Sequence, residues 1–467
     1  MPLDELHEEC GVFGVYAPGV DVARLSYFGL YALQHRGQES AGIAASDGEE
    51  IRAHTRMGLV NTAFSEENLH SLHGHIAIGH TRYSTTGSSH PDNAGPMVAR
   101  SNFGTVAVAH NGNLVNSDIL RRELQESGVE FRTTTDSEVL TWRIALNFGP
   151  DIVSRIKQAM SRFVGAYSLT VLVENALIGV RDPHGIRPLC LGKLDGGWVL
   201  SSETCAFQTI GAEYVRELEP GEIVVIDESG VTSYPPEDNR KREAMCIFET
   251  IYFARPDSFM QGDRLHLTRQ RMGAELYKEC PVDADLVIPL PDSAVPAAIG
   301  FARESGIEYA EALIKNRYIG RTFIQPDQRL REQGVQLKFN ALPEVLEGKR
   351  VALIDDTIVR GTTSKPIVDL LRNHGATEVH MRVHAPPIKW PCYLGVDMAK
   401  RSELIAAHLS IEEIGQKIGA DSIGYLSLEG LLRAINNGRN KFCTGCLTGE
   451  YPVPVQMEMD KLALERV

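Results

Sequence analysis

Apolar and polar positions follow two different patterns along the 467 residues of this chain. Short apolar runs in the first half predict strands at residues 11–16, 76–79, 106–109, 166–173, 176–180, 198–201 and 222–226. Helical stretches are predicted at 22–33 and from about 134 onwards, so the first half is expected to be a sheet-rich α+β unit.

The second half alternates apolar strands with helical stretches. Strands are predicted at 286–289, 350–354 and 378–383, with helices at 294–303 and 364–373 between them. This βαβ alternation is typical of a parallel sheet, whose ligands bind beyond the carboxyl ends of the strands. The second half is therefore predicted to be α/β.

A polar, proline-containing stretch at residues 233–242 separates the two patterns and suits a linker. The predicted domains are residues 10–235 and 236–467, preceded by a polar segment at 1–9. A chain of this length can bury two separate cores.

Cys10 stands between the polar segment 1–9 and the apolar run 11–16. If residues 1–9 were removed as a propeptide, Cys10 would become the amino terminus at the start of a core strand. Its free α-amine, with a pKa of about 7.7–8.0, could then take the thiol proton. We interpret Cys10 as an N-terminal nucleophile; the alternative is a buried structural cysteine.

Four short polar motifs follow Cys10. They read QHRGQ from Gln34, HTRYST from His80, HNGN from His110 and TTDSE from Thr134. Together with Cys10, they resemble the glutaminase domain of the N-terminal-nucleophile amidotransferases, which implies a layered αββα sandwich.

This resemblance implies roles for particular residues. Arg82 would bind the carboxylate of free glutamine, and Asp136 would pair with its ammonium. Asn111 and Gly112 would donate hydrogen bonds to the tetrahedral oxyanion formed by attack of Cys10. Arg36 is assigned to the glutamine site as a residue that orients the loop beside the nucleophile. Taken singly, these residues are also typical of a surface arginine, a helix cap or an Asn-Gly turn.

The strongest motif of the second half joins a predicted strand to a predicted helix, VALIDDTIVRGTTS from Val351 to Ser364. A loop rich in hydroxyls before a helix favours an anion, and the adjacent carboxylates of Asp355 and Asp356 can hold ribose hydroxyls or Mg²⁺. The motif resembles the signature of type I phosphoribosyltransferases, and residues 315–335 resemble the mobile lid of that family.

This second resemblance implies a phosphoribosylpyrophosphate site. Its residues would be Asp292, Ser293, Lys315, Asp355, Asp356, Arg360, Gly361, Thr362, Thr363 and Ser364. Magnesium would be held by Ser293, Asp355 and Asp356.

Eight cysteines occur in the chain, and Cys443 and Cys446 form a C-x-x-C pair. Such a pair alone is compatible with zinc, redox chemistry or chance. Within the family resemblance, Cys246, Cys392, Cys443 and Cys446 fall at the four ligand positions of a 4Fe–4S cluster. A zinc ion held by the same four thiolates is the alternative.

Charge and hydropathy narrow the classes of function. The chain has 47 basic and 61 acidic residues, a net charge of −14, which disfavours general binding to nucleic acid or anionic membranes. No apolar run approaches the roughly 20 residues of a membrane span, and residues 1–9 do not look like a secretory signal. We therefore expect a cytoplasmic enzyme with reduced cysteines.

Both halves together resemble the glutamine phosphoribosylpyrophosphate amidotransferase family, of its processed, iron–sulfur-containing type. The resemblance implies transfer of ammonia from glutamine to phosphoribosylpyrophosphate at the start of purine synthesis, inhibition by purine nucleotides and a homotetramer. One alternative is another N-terminal-nucleophile glutamine amidotransferase, which would not need the second motif. The other is a non-catalytic regulator that senses phosphoribosylpyrophosphate, which would not need the glutaminase motifs.

Overall fold

The computed structural model describes residues 10–83, 87–236, 242–316, 338–396, 400–435, 441–455 and 464. The segment predicted to be a propeptide, most of the predicted lid and residues 237–241 of the predicted linker lie outside the described residues.

Two antiparallel sheets form the first half. The first has seven strands, in the order Glu213–Glu217, Cys190–Leu194, Gly197–Ser201, Gly11–Tyr16, Ile76–Arg82, Ser40–Ser46 and Ile51–Met57. The second has six, in the order Gly230–Tyr234, Ile223–Asp227, Ala176–Arg181, Gly165–Val173, Gly104–Leu114 and Met97–Ser101.

The two sheets pack face to face, and helices cover both outer faces. Val12 and Ile78 of the first sheet share a buried core with Ala109 and Leu172 of the second. The helices Val22–Ala32, Val60–Ala63, Glu66–Ser71 and Cys205–Ile210 cover the first sheet. The helices Ser117–Glu126, Asp136–Leu146 and Ile152–Met160 cover the second, and a 3₁₀ turn spans Pro91–Asn93. Because the inner strands are buried on both faces, they read as continuous apolar runs.

A five-stranded parallel sheet forms the centre of the second half. Its order is Glu308–Tyr309, Leu286–Pro289, Arg350–Asp355, Glu378–Val383 and Ser422–Tyr425. One face packs on the helices Leu265–Glu279, Val295–Ser305 and Leu428–Ala434, and the other on Ser364–Asn373 and Ile411–Ile418. Two of these helices cross closely at Gly273, where a Cβ would lie 1.8 Å from the Ala297 oxygen.

Smaller elements complete the second half. They are the antiparallel pairs Leu313–Lys315 with Phe339–Ala341 and Phe259–Met260 with Asp263–Arg264, the parallel pair Met245–Cys246 with Phe442–Cys443, the π-helix Glu249–Phe253, the short helices Pro343–Leu346 and Gly445–Thr448, and the 3₁₀ turns Arg401–Glu403 and Ile405–Ala407.

The observed architecture confirms the predicted fold class, an αββα sandwich followed by an α/β unit. The predicted boundary after residue 235 stays a prediction; it falls just beyond the sandwich strand Gly230–Tyr234. Among the described residues, no helix has both the length and the apolar character needed to cross a membrane.

Candidate active sites

Cys10 directly precedes the strand Gly11–Tyr16, and its side chain is buried. The neighbouring strand Ile76–Arg82 pairs in the register Gly11 with Thr81, which brings Arg82 close to Cys10. The Cys10 thiol donates a hydrogen bond to the Tyr83 carbonyl oxygen at 3.4 Å. Burial raises the pKa of this thiol to about 11, with Arg82 acting in the opposite direction. At neutral pH the thiol is therefore protonated, and a base is needed to activate it.

A small cavity opens beside this thiol. It is lined by Cys10, His80, Arg82, Tyr83, Asn93, Met97, His110, Gly112, Thr135, Asp136 and Ser137. Four of the residues predicted from the glutaminase motifs, Cys10, Arg82, Gly112 and Asp136, thus come together around one space.

Arg82 and Asp136 give this cavity one positive and one negative group. The Arg82 guanidinium is nearly buried and donates to the Ser88 carbonyl oxygen at 3.3 Å. Asp136 is the first residue of the helix Asp136–Leu146, which Thr135 caps, and its carboxylate accepts a hydrogen bond from the Leu114 N–H at 2.9 Å. A free amino acid carries the complementary pair of charges, so the cavity suits one.

Asn111 and Gly112 lie within the strand Gly104–Leu114, which continues five residues beyond its predicted end at 109. Gly112 has a φ of +143°, and a Cβ there would lie 2.0 Å from the Ala166 oxygen, so the position requires glycine. Asn111 does not line the cavity. Its amide is fully buried, and neither polar atom has a hydrogen-bond partner within the described ranges. An unpaired buried amide is a donor available for an oxyanion, and the next residue, Gly112, lines the cavity.

Arg36 is fully buried and does not line the cavity. Its Nε donates to the Cys10 carbonyl oxygen at 3.1 Å, and its Nη atoms pair with Glu203 and Glu249 at 2.7 Å. Burial alone would lower the pKa of this guanidinium, but Glu249 and Glu203 raise it overall, so the group stays charged. These contacts support the predicted orienting role.

Sequence reasoning assigned no role to His80 and His110, which both line the cavity. Burial lowers the pKa of His80 to about 3 and also lowers the pKa of His110. Nε2 of His80 lies 3.0 Å from the His110 carbonyl oxygen, so the neutral His80 ring joins a strand of the first sheet to a strand of the second. The sequence signal that could have identified these two histidines is their position as the first residues of the HTRYST and HNGN motifs.

The second site lies beyond the carboxyl ends of the parallel strands Leu286–Pro289 and Arg350–Asp355, which are neighbours in the sheet. A second, larger cavity opens there. It is lined by Tyr252, Leu290, Pro291, Asp292, Ser293, Lys315, Phe339, Asp355, Asp356, Thr357, Ile358, Val359, Thr363 and Ser364.

Asp355 and Asp356, the acid pair of the motif, line this cavity. Asp356 accepts hydrogen bonds from the hydroxyls of Ser293 at 2.6 Å and Thr357 at 2.8 Å, and Asp355 accepts one from the Asp356 N–H. Lys315 forms an ion pair with Asp292 at 3.2 Å. Two carboxylates and a hydroxyl are the oxygen donors that Mg²⁺ takes in proteins, usually together with substrate phosphates.

Three predicted residues of this site, Arg360, Gly361 and Thr362, do not line the cavity. Arg360 forms an ion pair with Glu403 at 2.9 Å, beside the 3₁₀ turn Arg401–Glu403. Thr363 and Ser364, at the start of the helix Ser364–Asn373, do line it. The start of this helix therefore lies at the cavity.

The four candidate cluster cysteines are gathered in one region. Cys246 and Cys443 lie opposite each other in a parallel strand pair, and Cys446 follows in the helix Gly445–Thr448. Cys392 accepts a hydrogen bond from the Leu394 N–H at 3.4 Å. Burial raises the pKa of Cys246 to about 11 and that of Cys443 to about 12, and the neighbouring cysteines add to both shifts. These thiols would have to lose their protons in order to bind a metal as thiolates.

The described part of the chain places no three histidine, cysteine, aspartate or glutamate side chains so that they could hold a metal ion. A zinc ion draws its four thiolates to about 2.3 Å from one point. The four cysteines are therefore close in space without converging on a site for one ion.

Comparisons with known proteins agree with this geometry. A family model described as a glutamine amidotransferase domain matches residues 80–209. The amidophosphoribosyltransferase of Synechococcus elongatus is 52% identical, covering 99% of this chain and 96% of the relative. That of Methanocaldococcus jannaschii is 50% identical, covering 96% and 98%.

Two solved structures share the whole architecture. One is described as the allosteric regulatory enzyme of purine biosynthesis, with a TM-score of 0.90, 46% identity and 97% coverage of both chains. The other is the glutamine phosphoribosylpyrophosphate amidotransferase of B. subtilis in complex with ADP and GMP. It has a TM-score of 0.91 and 45% identity, covering 97% of this chain and 99% of that one.

Fold and sites together define a glutamine amidotransferase unit joined to a phosphoribosyltransferase unit. At about half identity over nearly its full length, the chain belongs to the amidophosphoribosyltransferase family.

Proposed function

We propose that this chain transfers ammonia from glutamine to phosphoribosylpyrophosphate, giving 5-phosphoribosylamine, pyrophosphate and glutamate, the first step of purine synthesis. The observation that carries this proposal is the presence of two chemically different cavities in one chain. One gathers a thiol with groups of both charges, and the other lies over a pair of carboxylates at parallel strand ends.

In the first half-reaction, the Cys10 sulfur attacks the side-chain amide carbon of glutamine. Removal of residues 1–9 would supply the base, because the freed α-amine of Cys10 can take the thiol proton and pass it to the leaving nitrogen. Arg82 and Asp136 hold the substrate carboxylate and ammonium, while Asn111 and Gly112 donate to the oxyanion. Ammonia leaves, and water hydrolyses the thioester to glutamate and free thiol.

In the second half-reaction, unprotonated ammonia attacks C1 of the ribose, the bond from C1 to the pyrophosphate oxygen breaks, and the amine loses a proton. Positive charge develops at the ribose carbon, and Asp355 and Asp356 stabilise it. Ser293, Asp355 and Asp356 would hold Mg²⁺, which neutralises charge on the departing pyrophosphate. Thr363 and Ser364, at a helix start, suit the 5-phosphate of the sugar.

We further propose that Cys246, Cys392, Cys443 and Cys446 hold a 4Fe–4S cluster. Four thiols gathered in one region, of which those of Cys246 and Cys446 are buried, support a thiolate-bound group. The sequence spacing favours a cluster over a single zinc ion, because zinc ligands usually come as two close pairs and Cys246 and Cys392 each stand alone. The proposed chemistry has no redox step, so the cluster would be structural and would tie the segment 441–455 to the body of the second half.

Inhibition by purine nucleotides and assembly into a homotetramer in the cytoplasm, without nucleic-acid or membrane partners, belong to the same proposal. One relative of known structure is described as an allosteric regulatory enzyme, and another was solved with ADP and GMP. The large acidic excess supports the lack of nucleic-acid partners.

Pyrophosphate release tests the proposed function directly. The purified chain is mixed with phosphoribosylpyrophosphate and Mg²⁺, then with glutamine, with ammonium chloride at alkaline pH, or with no nitrogen donor. We expect release with either donor and little without one. Glutamine hydrolysis without pyrophosphate release would indicate another amidotransferase, and binding of phosphoribosylpyrophosphate without turnover would indicate a regulator.

A further inference from the structure

Glu249 lies in the second half of the chain, yet its carboxylate is buried among groups of the glutaminase half. It begins the π-helix Glu249–Phe253, three residues after Cys246. Its two oxygens accept hydrogen bonds from Arg36 at 2.7 and 2.9 Å, and both side chains are fully buried.

Arg36 links this carboxylate to the nucleophile. The Arg36 Nε donates to the main-chain oxygen of Cys10 at 3.1 Å, so the guanidinium fixes the backbone from which the attacking sulfur projects. The other carboxylate on Arg36, Glu203, also accepts hydrogen bonds from the Arg255 N–H and the Ser258 hydroxyl. Glu249 is therefore the partner that holds both Nη atoms of Arg36.

Glu249 is connected to the oxyanion strand as well. Its carboxylate lies 3.7 Å from Nη1 of the buried Arg187, whose Nη2 donates to the Leu394 carbonyl oxygen at 2.6 Å. The next residue, Gly395, approaches Gly112 so closely that a Cβ would lie 3.0 Å from the Gly112 Cα. The buried network thus reaches the backbone of the nucleophile on one side and of the oxyanion donors on the other.

We propose that Glu249 is a positioning residue for the glutaminase half-reaction, contributed by the phosphoribosyltransferase half. It acts through Arg36 on Cys10 and does not touch glutamine. The inference rests on the proposed function, because it assigns Glu249 a part in that reaction.

Two variants test this role, Glu249→Gln and Glu249→Asp. Replacing the carboxylate with an amide leaves Arg36 without half of its counter-charge, and a small shift of the nucleophile can cost about 100-fold in rate. We expect Glu249→Gln to lower kcat with glutamine by about that factor, with a much smaller change in the KM for glutamine. Activity with added ammonia should stay near that of the unmodified chain, because the second cavity does not use Cys10. Glu249→Asp keeps the negative charge on a shorter side chain. Its kcat with glutamine should lie between those of Glu249→Gln and the unmodified chain.

The matched control is Glu275→Gln. Glu275 lies on the helix Leu265–Glu279 and pairs with Arg433 at 2.8 Å on the surface of the same half. This variant should leave both activities unchanged.

A purely structural role predicts a different result, in which both activities fall together with the folded fraction measured by circular dichroism. The inference would be overturned if both activities fell in parallel. It would also be overturned if a folded Glu249 variant kept an unchanged kcat with glutamine. If Glu249→Gln does not fold, Glu249→Asp decides in its place. Failure of both to fold would make Glu249 structural and the inference wrong. An unmodified chain without glutamine-dependent pyrophosphate release would instead refute the proposed function.

Discussion

The side-chain amide of Asn113 donates a hydrogen bond of 2.9 Å to the main-chain oxygen of Tyr393, 280 positions later in the sequence. Asn113 directly follows the predicted oxyanion donors, and Tyr393 directly follows the proposed cluster ligand Cys392. The segment that carries one of the four cysteines is therefore in contact with the glutaminase site. The halves meet in one apolar cluster, in which Ala166 and Ile186 pack with residues of the second half, and they share structural support for Cys10 and Gly112.

The chemical separation of the two sites predicts a selective effect of Cys10→Ser. We expect this variant to lose glutamine-dependent pyrophosphate release and to keep the activity with ammonia, because the second cavity contains no group of the first. Cys280→Ser is the control, since Cys280 lies outside both cavities. Loss of both activities in folded Cys10→Ser would contradict the two-site interpretation.

The acid pair predicts the opposite selectivity. Asp355→Asn combined with Asp356→Asn should abolish pyrophosphate release with either nitrogen source, because ribose and metal lose their carboxylates. Glutamine hydrolysis should persist at a low rate. Asp369→Asn, on the exposed face of the helix Ser364–Asn373, serves as the control. Normal transfer by the double variant would show that the role assigned to these aspartates is wrong.

The backbone of Gly112 supplies a third prediction. Gly112→Ala should abolish glutamine hydrolysis, because its Cβ would lie 2.0 Å from the Ala166 main-chain oxygen and push the oxyanion strand aside. Gly128 is a matched control with a φ of +89° and open space around its Cβ position. Gly128→Ala should destabilise the fold by about 1–2 kcal/mol because of its left-handed backbone conformation, but its Cβ would clash with no neighbouring atom. Comparing glutaminase rates and thermal midpoints separates the two effects; a normal rate in Gly112→Ala would count against the oxyanion role.

Several features could be predicted from the sequence because they depend on local patterns. The βαβ alternation placed residues 286–289 and 350–354 in one parallel sheet, and the carboxyl ends of such strands meet at one edge. The resemblance to type I phosphoribosyltransferases assigned Asp292 and Asp355 to one site at this edge, and both line one cavity.

Other features depend on tertiary contacts that no local pattern encodes. The strand predicted to end at 109 runs on to Leu114, because polar residues 110–113 pair with the strand Gly165–Val173. Arg360 forms an ion pair with Glu403, and Arg36 pairs with Glu249 across 213 positions. Both contacts depend on how distant segments of the chain pack.

A fourth prediction concerns the pH dependence of Cys10 reactivity. Burial raises the pKa of the Cys10 thiol to about 11 in the chain that retains residues 1–9. Since only the thiolate reacts, alkylation of Cys10 by iodoacetamide should rise about tenfold per pH unit from neutrality towards pH 11. In a chain that begins at Cys10, the α-amine supplies a base with a pKa of about 7.7–8.0, and the profile should move to lower pH. Peptide mapping follows Cys10 alone; identical profiles would contradict activation by the terminal amine.

The last prediction concerns the cluster and follows from the position of Cys443. This residue lies opposite Cys246 in a strand pair that joins residues 442–443 to the start of the second half. Replacing it removes one ligand and leaves Cys246, Cys392 and Cys446; burial raises the pKa of Cys246 and of Cys446, so these two thiols stay protonated without a metal. Cys443→Ser should therefore give a poorly folded or unprocessed chain rather than selective loss of one half-reaction, whereas Cys280→Ser should behave like the unmodified protein.

The unmodified protein, purified without oxygen, should be brown and contain about four irons and four sulfides per chain. Metal analysis, the visible spectrum and intact mass measured on one sample report the cluster and the amino terminus together. A colourless, active protein with one zinc per chain would refute the iron–sulfur assignment. It would leave the amidotransferase assignment standing, because neither cavity contains any of the four cysteines.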